Sequence, residues 1–176
     1  MTSGRSQQQL FSLLTAQLGQ DPAAVVINAM REQMARHDAV DGMLLLLEEL
    51  KEQAPKAAKS AIDALTEIHR RGVLAEALPW LDLGVAIASD SGALALKFFK
   101  ESPLLLGLLE PSMRRIVLEI GLELADRSAN VAMEFVRIAP EVVGALPPHE
   151  WPMWMEFSCE LAETDFTLAI EYIRQI

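Results

Sequence analysis

The chain has 176 residues, about half of them apolar, which argues against a disordered chain and supplies one domain with enough side chain for a sizeable core. Fifteen Lys and Arg stand against 25 Asp and Glu, and a formal charge of −10 makes a phosphate backbone a poor partner. Cys159 is the only cysteine, so an internal disulfide is excluded and no cysteine–histidine metal pattern can be written.

The opening MTSGRSQQQ is polar and glutamine-rich, and LFSLLTAQL behind it is broken by Thr15 and Gln17, unlike a secretory signal. Residues 1–8 are expected to be disordered and residues 9–72 to form a set of N-terminal helices. A first helix is predicted from near Gln8 to Gly19, where glycine permits a left-handed end. Asp21 then caps a second helix with Pro22 at its first position, running to about His37. Asp38 or Asp41 opens a third, which ends near Gln53. Its run Gly42 to Leu47 is followed by Glu48 and Glu49 and is too short to span a bilayer. A fourth starts at Pro55 and is closed by Gly72 after Arg70 and Arg71, a basic pair suited to a helix C-terminus. Residues 20–72 read as one or two degenerate units that cap a repeat region over residues 73–176.

From Leu74 onward the chain repeats itself. Gly84 to Pro103 reads GVAIASDSGALALKFFKESP, and 37 residues later Gly121 to Pro140 reads GLELADRSANVAMEFVRIAP. In units 74–110, 111–147 and 148–176, Gly84, Gly121 and Ser158 coincide, as do Ala88, Ala125 and Ala162. Ser91, Ser128 and Asp165 form a column of helix-capping residues and mark the start of each unit's second helix. Ala95, Ala132 and Ala169 come next, then Phe98, Phe135 and Tyr172, then Lys100, Arg137 and Arg174. Glycine inside a helix costs roughly 1 kcal/mol relative to alanine, so the glycine column is predicted to be a point where helices cross closely. Ala88, Ala95, Ala125, Ala132, Phe98 and Phe135 are predicted to be buried. Pro103 and Pro140 are predicted to end the second helices, because the residue before proline is pushed out of helical angles.

Two helices in 37 residues imply an all-α solenoid of stacked antiparallel helical pairs, with an irregular N-terminal part. The first helices, Trp80-x-x-Leu83-Gly84-x-x-Ile87 and Trp154-x-x-Phe157-Ser158-x-x-Leu161, resemble the opening of a tetratricopeptide repeat, although the second helix departs from that pattern. The phrasing LELADRSANVAMEFVRIAPEVVGAL also resembles the helical repeats upstream of a von Willebrand factor A domain in bacterial proteins linked to activating nitric oxide reductase or rubisco. That resemblance covers residues 72–176. It implies a protein-interaction region working with a hexameric AAA+ ATPase. The metal-binding D-x-S-x-S motif of the A domain is absent from this sequence, and no functional residue carries over.

Chemistry is hard to find. Ser89-Asp90-Ser91-Gly92 has the letters of a nucleophile but sits between helices, where capping explains it better. His149-Glu150 lacks the second histidine of a zinc helix, since position 153 is Met. His37 and Asp41 are four apart, but two ligands make no metal site. His69 at a helix end is a dipole partner, and Cys159 beside Ser158 reads as a buried, inert thiol. The expectation is a protein that is not an enzyme and uses no metal or cofactor.

The partner surface is expected on the first helices of the units. Asp82, Glu119, Glu123, Glu156 and Glu160 recur there, either as an acidic row that draws a basic partner segment or as a plain solvated face. Trp151 aligns with Arg114 and has no assigned core role, so it is either an exposed apolar anchor or a lid over the last unit. Glu119, Glu123, Glu156 and Trp151 are the candidate partner-binding residues. The run Leu104 to Leu109 is explained by packing between units or by an exposed patch. The last helix, from Asp165 to Ile176, carries Phe166, Leu168, Ile170, Tyr172 and Ile173, more than one neighbour can cover, and is expected to seek another chain, as a homodimer or crystal contact, or to continue into further sequence. The reading is a cytoplasmic, non-catalytic scaffold or adaptor for an unidentified protein partner, helping to assemble or activate a larger enzyme complex. The alternative is a small molecule or lipid held in an apolar pocket between helices.

Overall fold

The computed structural model describes residues 2–34 and 39–175. Ten α-helices occur among them: α1 (Thr2–Leu18), α2 (Gln20–Gln33), α3 (Ala39–Gln53), α4 (Pro55–Arg70), α5 (Ala77–Asp90), α6 (Gly92–Gly107), α7 (Pro111–Ala125), α8 (Ala129–Ala145), α9 (Trp151–Thr164) and α10 (Phe166–Arg174). Short 3-10 turns at Leu74–Glu76 and Pro148–Glu150 precede α5 and α9, and no strand occurs among the described residues.

The helix boundaries reflect local chemistry. Ser91 Oγ accepts from the Leu94 N–H at 3.2 Å and Ser128 Oγ from the Val131 N–H at 3.4 Å. Asp165 Oδ1 accepts from the Thr167 and Leu168 N–H groups at 2.9 and 3.3 Å. All three residues of the predicted capping column therefore cap, each satisfying a free donor of the first turn. Gly19 (φ 90) and Gly72 (φ 74) hold the left-handed backbone at the ends of α1 and α4, where a side chain would be strained.

Each helix packs on its sequence neighbour and on the helix two along. α1, α3, α5, α7 and α9 touch in succession, and so do α2, α4, α6, α8 and α10. Trp80, Phe98, Phe99 and Phe135 are fully buried between these two series. Gly84 lies against Phe99, and a Cβ placed there would meet the ring at 2.0 Å. A Cβ on Gly121 would meet Leu83 at 2.9 Å. The glycine column is thus a crossing point in α5 and α7. Ser158, its third member, is fully buried, and its hydroxyl donates to the Trp154 carbonyl of its own helix at 2.8 Å. Ala88, Ala95 and Ala132 are buried as expected, whereas Ala125 at the end of α7 is partly exposed; Ala162 and Ala169 are buried as well.

Three expectations are corrected. Pro103 and Pro140 lie inside α6 and α8 and end neither helix. Proline in a helix interior costs about 3 kcal/mol in lost hydrogen bonding and clash. Packing on both sides of Pro103 offsets that cost: Ser102 accepts from the Trp80 indole N–H at 2.7 Å, and Leu106 and Leu109 are buried. Beyond Pro140, Val142 anchors the last turn of α8 in the same way. Secondly, α1 begins at Thr2, so most of the first eight residues are helical where disorder was expected. α2 starts with Gly19 in the cap position, two residues ahead of Asp21.

Candidate functional site

α7 and α9 diverge enough to leave a groove of ≈ 530 Å³. Met113, Ile116, Ile120 and Glu123 face it from α7, spaced three or four apart so that they share one side of the helix. Trp151, Met155 and Cys159 face it from α9 with the same four-residue spacing, and Glu156, Glu160 and Glu163 lie beside them. Pro148 and Pro152 form its rim next to Trp151. Four of the 12 lining residues are acidic and none is basic.

The acids are not spread evenly. Arg127, just past α7, pairs with Glu163 near the end of α9 at 3.0 Å, which sets the C-terminal ends of the two helices side by side. Glu123, Glu160 and Glu163 lie at that end, and Met113, Ile116 and Trp151 lie at the other. The C-terminal helix dipoles add negative potential where the carboxylates already are. The Cys159 thiol registers this environment: burial first, then Glu123 and Glu163, push its pKa up to about 11. It is therefore a neutral thiol at ordinary pH and a poor nucleophile. On α5, half-buried Asp82 also has a raised pKa, through burial first and then its acidic neighbours Glu49 and Asp126. The negative surface thus extends from α9 back toward α3.

Three of the four candidate residues come together here. Glu123, Glu156 and Trp151 all line the groove. Glu119 does not, because it is exposed and paired with Arg115 one turn earlier at 3.0 Å. Trp151 turns out to have a fixed role that the sequence reading missed. Its indole N–H donates to the Leu146 carbonyl at 3.0 Å, while its half-buried ring forms one wall. Its repeat counterpart Arg114 donates from Nε to the equivalent carbonyl of Leu109 at 3.0 Å, and from Nη1 to that of Gly72 at 3.0 Å. Both side chains tie down the turn that enters their helix, so Trp151 is a wall held from behind and not a free anchor.

Ile116, Ile120, Met155 and Glu163 were not singled out from the sequence, and Cys159 was read only as an inert thiol. Their signal was present as two apolar stripes, Ile116-Ile120 and Trp151-Met155-Cys159, which read equally well as core.

The remaining candidates carry less. Ser91 is a cap, and Ser89 Oγ donates to the Ala86 carbonyl at 2.7 Å, so neither is poised for chemistry. His149 and Glu150 form an exposed pair at 3.8 Å, and His37 lies outside the described residues. No group of three or more His, Cys, Asp or Glu among the described residues is arranged to hold a metal ion. Within Leu104 to Leu109, Leu106 and Leu109 are buried while Leu104 and Leu108 are exposed. In α10, Ile173 is fully buried against its neighbours, whereas Phe166 and Leu168 are exposed, as is Phe157 of α9. No helix among the described residues is long and apolar enough to cross a membrane. No family model, curated protein or solved structure matches the chain.

Proposed function

We propose that this chain is a non-catalytic interaction module that holds a segment of a partner protein in the groove between α7 and α9. The observation that carries the reading is the groove's composition, an apolar floor flanked by four carboxylates and no basic side chain. Such a surface is built for contact, since apolar side chains such as Ile116 stay 40 % exposed at no gain to the fold. We read the scaffold as a stack of antiparallel helical pairs on the 37-residue frame. Support comes from the capping, glycine and alanine columns, whose members fall at matching places in successive helices. Tryptophan and arginine at one register position tying equivalent carbonyls support it further. The resemblance of residues 72–176 to the nitric oxide reductase and rubisco activation proteins makes a cytoplasmic AAA+ ATPase the first partner class to try, with the module helping to assemble or activate a larger complex.

A second reading is favoured by the groove's size. At ≈ 530 Å³ it lies within the roughly 300–1,000 Å³ of small-molecule sites, so an apolar small molecule or lipid is the competing occupant. The test is quantitative affinity capture from host extract with the wild type and with Glu123→Lys/Glu156→Lys/Glu160→Lys. The reading expects the variant to lose its captured proteins while its helical circular dichroism is unchanged. Capture of the same proteins at the same yield by the variant would place the partner surface elsewhere.

A further inference from the structure

The groove has two chemically distinct ends, and this says more about its occupant than the presence of a groove does. One end is formed by Ile116, Trp151 and Met155, with Pro148 and Pro152 on the rim. The other is formed by Glu123, Glu160 and Glu163, at the C-terminal ends of two adjacent helices. Arg127 answers one of these carboxylates, Glu163, from outside the groove, and no basic side chain lines it. Between Ile116 and Glu123 the helix advances roughly 10 Å at 1.5 Å per residue. The acidic end alone would attract any cation. The apolar end alone would accept any greasy group. Together, in a fixed order and at a fixed separation, they select a ligand that carries both.

Resting on the interaction reading of this groove, we propose that the occupant is a segment of a partner protein in which a bulky apolar anchor and a cluster of Lys or Arg are segregated about 10 Å apart. The anchor seats on Ile116 and Trp151, displacing water from side chains that the fold leaves partly uncovered, with buried Met155 beneath them. The basic cluster meets Glu123, Glu160 and Glu163, where charge complementarity sets the direction of the segment and speeds its arrival. A segment with the same composition but alternating basic and apolar residues would put a cation on the apolar wall or an apolar group among carboxylates. Either arrangement leaves a charge desolvated without a partner.

The experiment is fluorescence anisotropy with labelled synthetic peptides of about 12 residues, enough to run the groove as a helix. One peptide carries Phe and Leu at one end and four Lys at the other, and a second has the same residues alternating. The segregated peptide is expected to bind wild-type protein at least about tenfold more tightly than the alternating one, and to weaken at least about tenfold between roughly 50 and 500 mM salt. Its binding is expected to be lost in Glu123→Lys/Glu160→Lys and, separately, in Ile116→Lys, a 40 % exposed position, each variant being read only where its helical circular dichroism matches wild type. Equal binding of both peptides, or no binding, overturns the inference. So does binding that survives both variants. Dodecyltrimethylammonium, a small amphiphile with the same two features, is the last probe: if it binds in the groove and the segregated peptide does not, the occupant is a small molecule. Failure of the peptides while the triple Glu-to-Lys variant still loses its captured proteins leaves the interaction reading in place and removes this ligand chemistry.

Discussion

The contact between α5 and α7 is closed, and the contact between α7 and α9 is open, although both are written in the same 37-residue frame. In the closed contact Leu83 is fully buried and reaches to 2.9 Å from where a Cβ on Gly121 would stand. In the open one, the counterpart of Leu83 is Ile120, partly exposed, and the counterpart of Gly121 is Ser158. Serine brings a Cβ and a hydroxyl to the position where glycine lets α7 lie close against α5. The chain entering α9 also differs: Pro147, Pro148 and a 3-10 turn replace the short link before α7. One substituted column and one altered turn accompany the change from a closed packing contact to an open groove. A repeat therefore specifies where helices go, while its departures mark where function can be placed.

The sharpest way to break this comparison is to truncate one side chain on each contact. Leu83→Ala is expected to cost about 2–5 kcal/mol in urea unfolding, the range for buried leucines that leave a cavity. Ile116→Ala is expected to cost less than about 1 kcal/mol, because much of its surface already meets water. Equal losses would mean that the two contacts are packed alike and that the groove is no special feature.

A smaller effect separates the two roles of Trp151. Trp151→Phe keeps an aromatic wall but removes the donor to the Leu146 carbonyl, and a cost of about 1 kcal/mol is expected for one lost hydrogen bond. A thermal melt indistinguishable from wild type would show that the indole holds nothing in place. Arg114→Lys, which loses the guanidinium that spans two turns, should lower the melting temperature more.

The smallest effect is a matter of pH. The Cys159 thiol, raised to about 11, is predicted to react with iodoacetamide at a rate that keeps climbing above pH 9. Because the folded state holds this proton more tightly than the unfolded chain, its contribution to stability is complete below about pH 8.5 and declines as pH rises toward the folded value. A reaction rate that levels off near pH 9 would show that the thiol is neither shielded by burial nor faced by Glu123 and Glu163.

Much of the fold was legible in the sequence because it is locally encoded. Ser91, Ser128 and Asp165 announce helix starts by their own chemistry, and the glycine column marks a crossing by its cost. Pro103 and Pro140 misled for the opposite reason: their local preference is real, but burial of the turns around them overrides it. Of the site, Glu123, Glu156 and Trp151 were found because charge and aromatic content show without a fold. Glu119 was included by register alone, and the Arg115 four residues before it was the overlooked signal that it is already paired. Ile116, Ile120 and Met155 could not be recognised, since an apolar stripe on a helix looks the same whether a neighbour covers it or stands away.

The central claim is that partners bind at the open contact. Carboxyl footprinting of the free protein and of the protein with its captured partner, read residue by residue by mass spectrometry, tests it most directly. The account predicts protection of Glu123, Glu156 and Glu160 on binding, with Glu119, Glu48 and Glu141 labelled as before. Protection of Glu48 or Glu141 with Glu123 and Glu160 unchanged would contradict it.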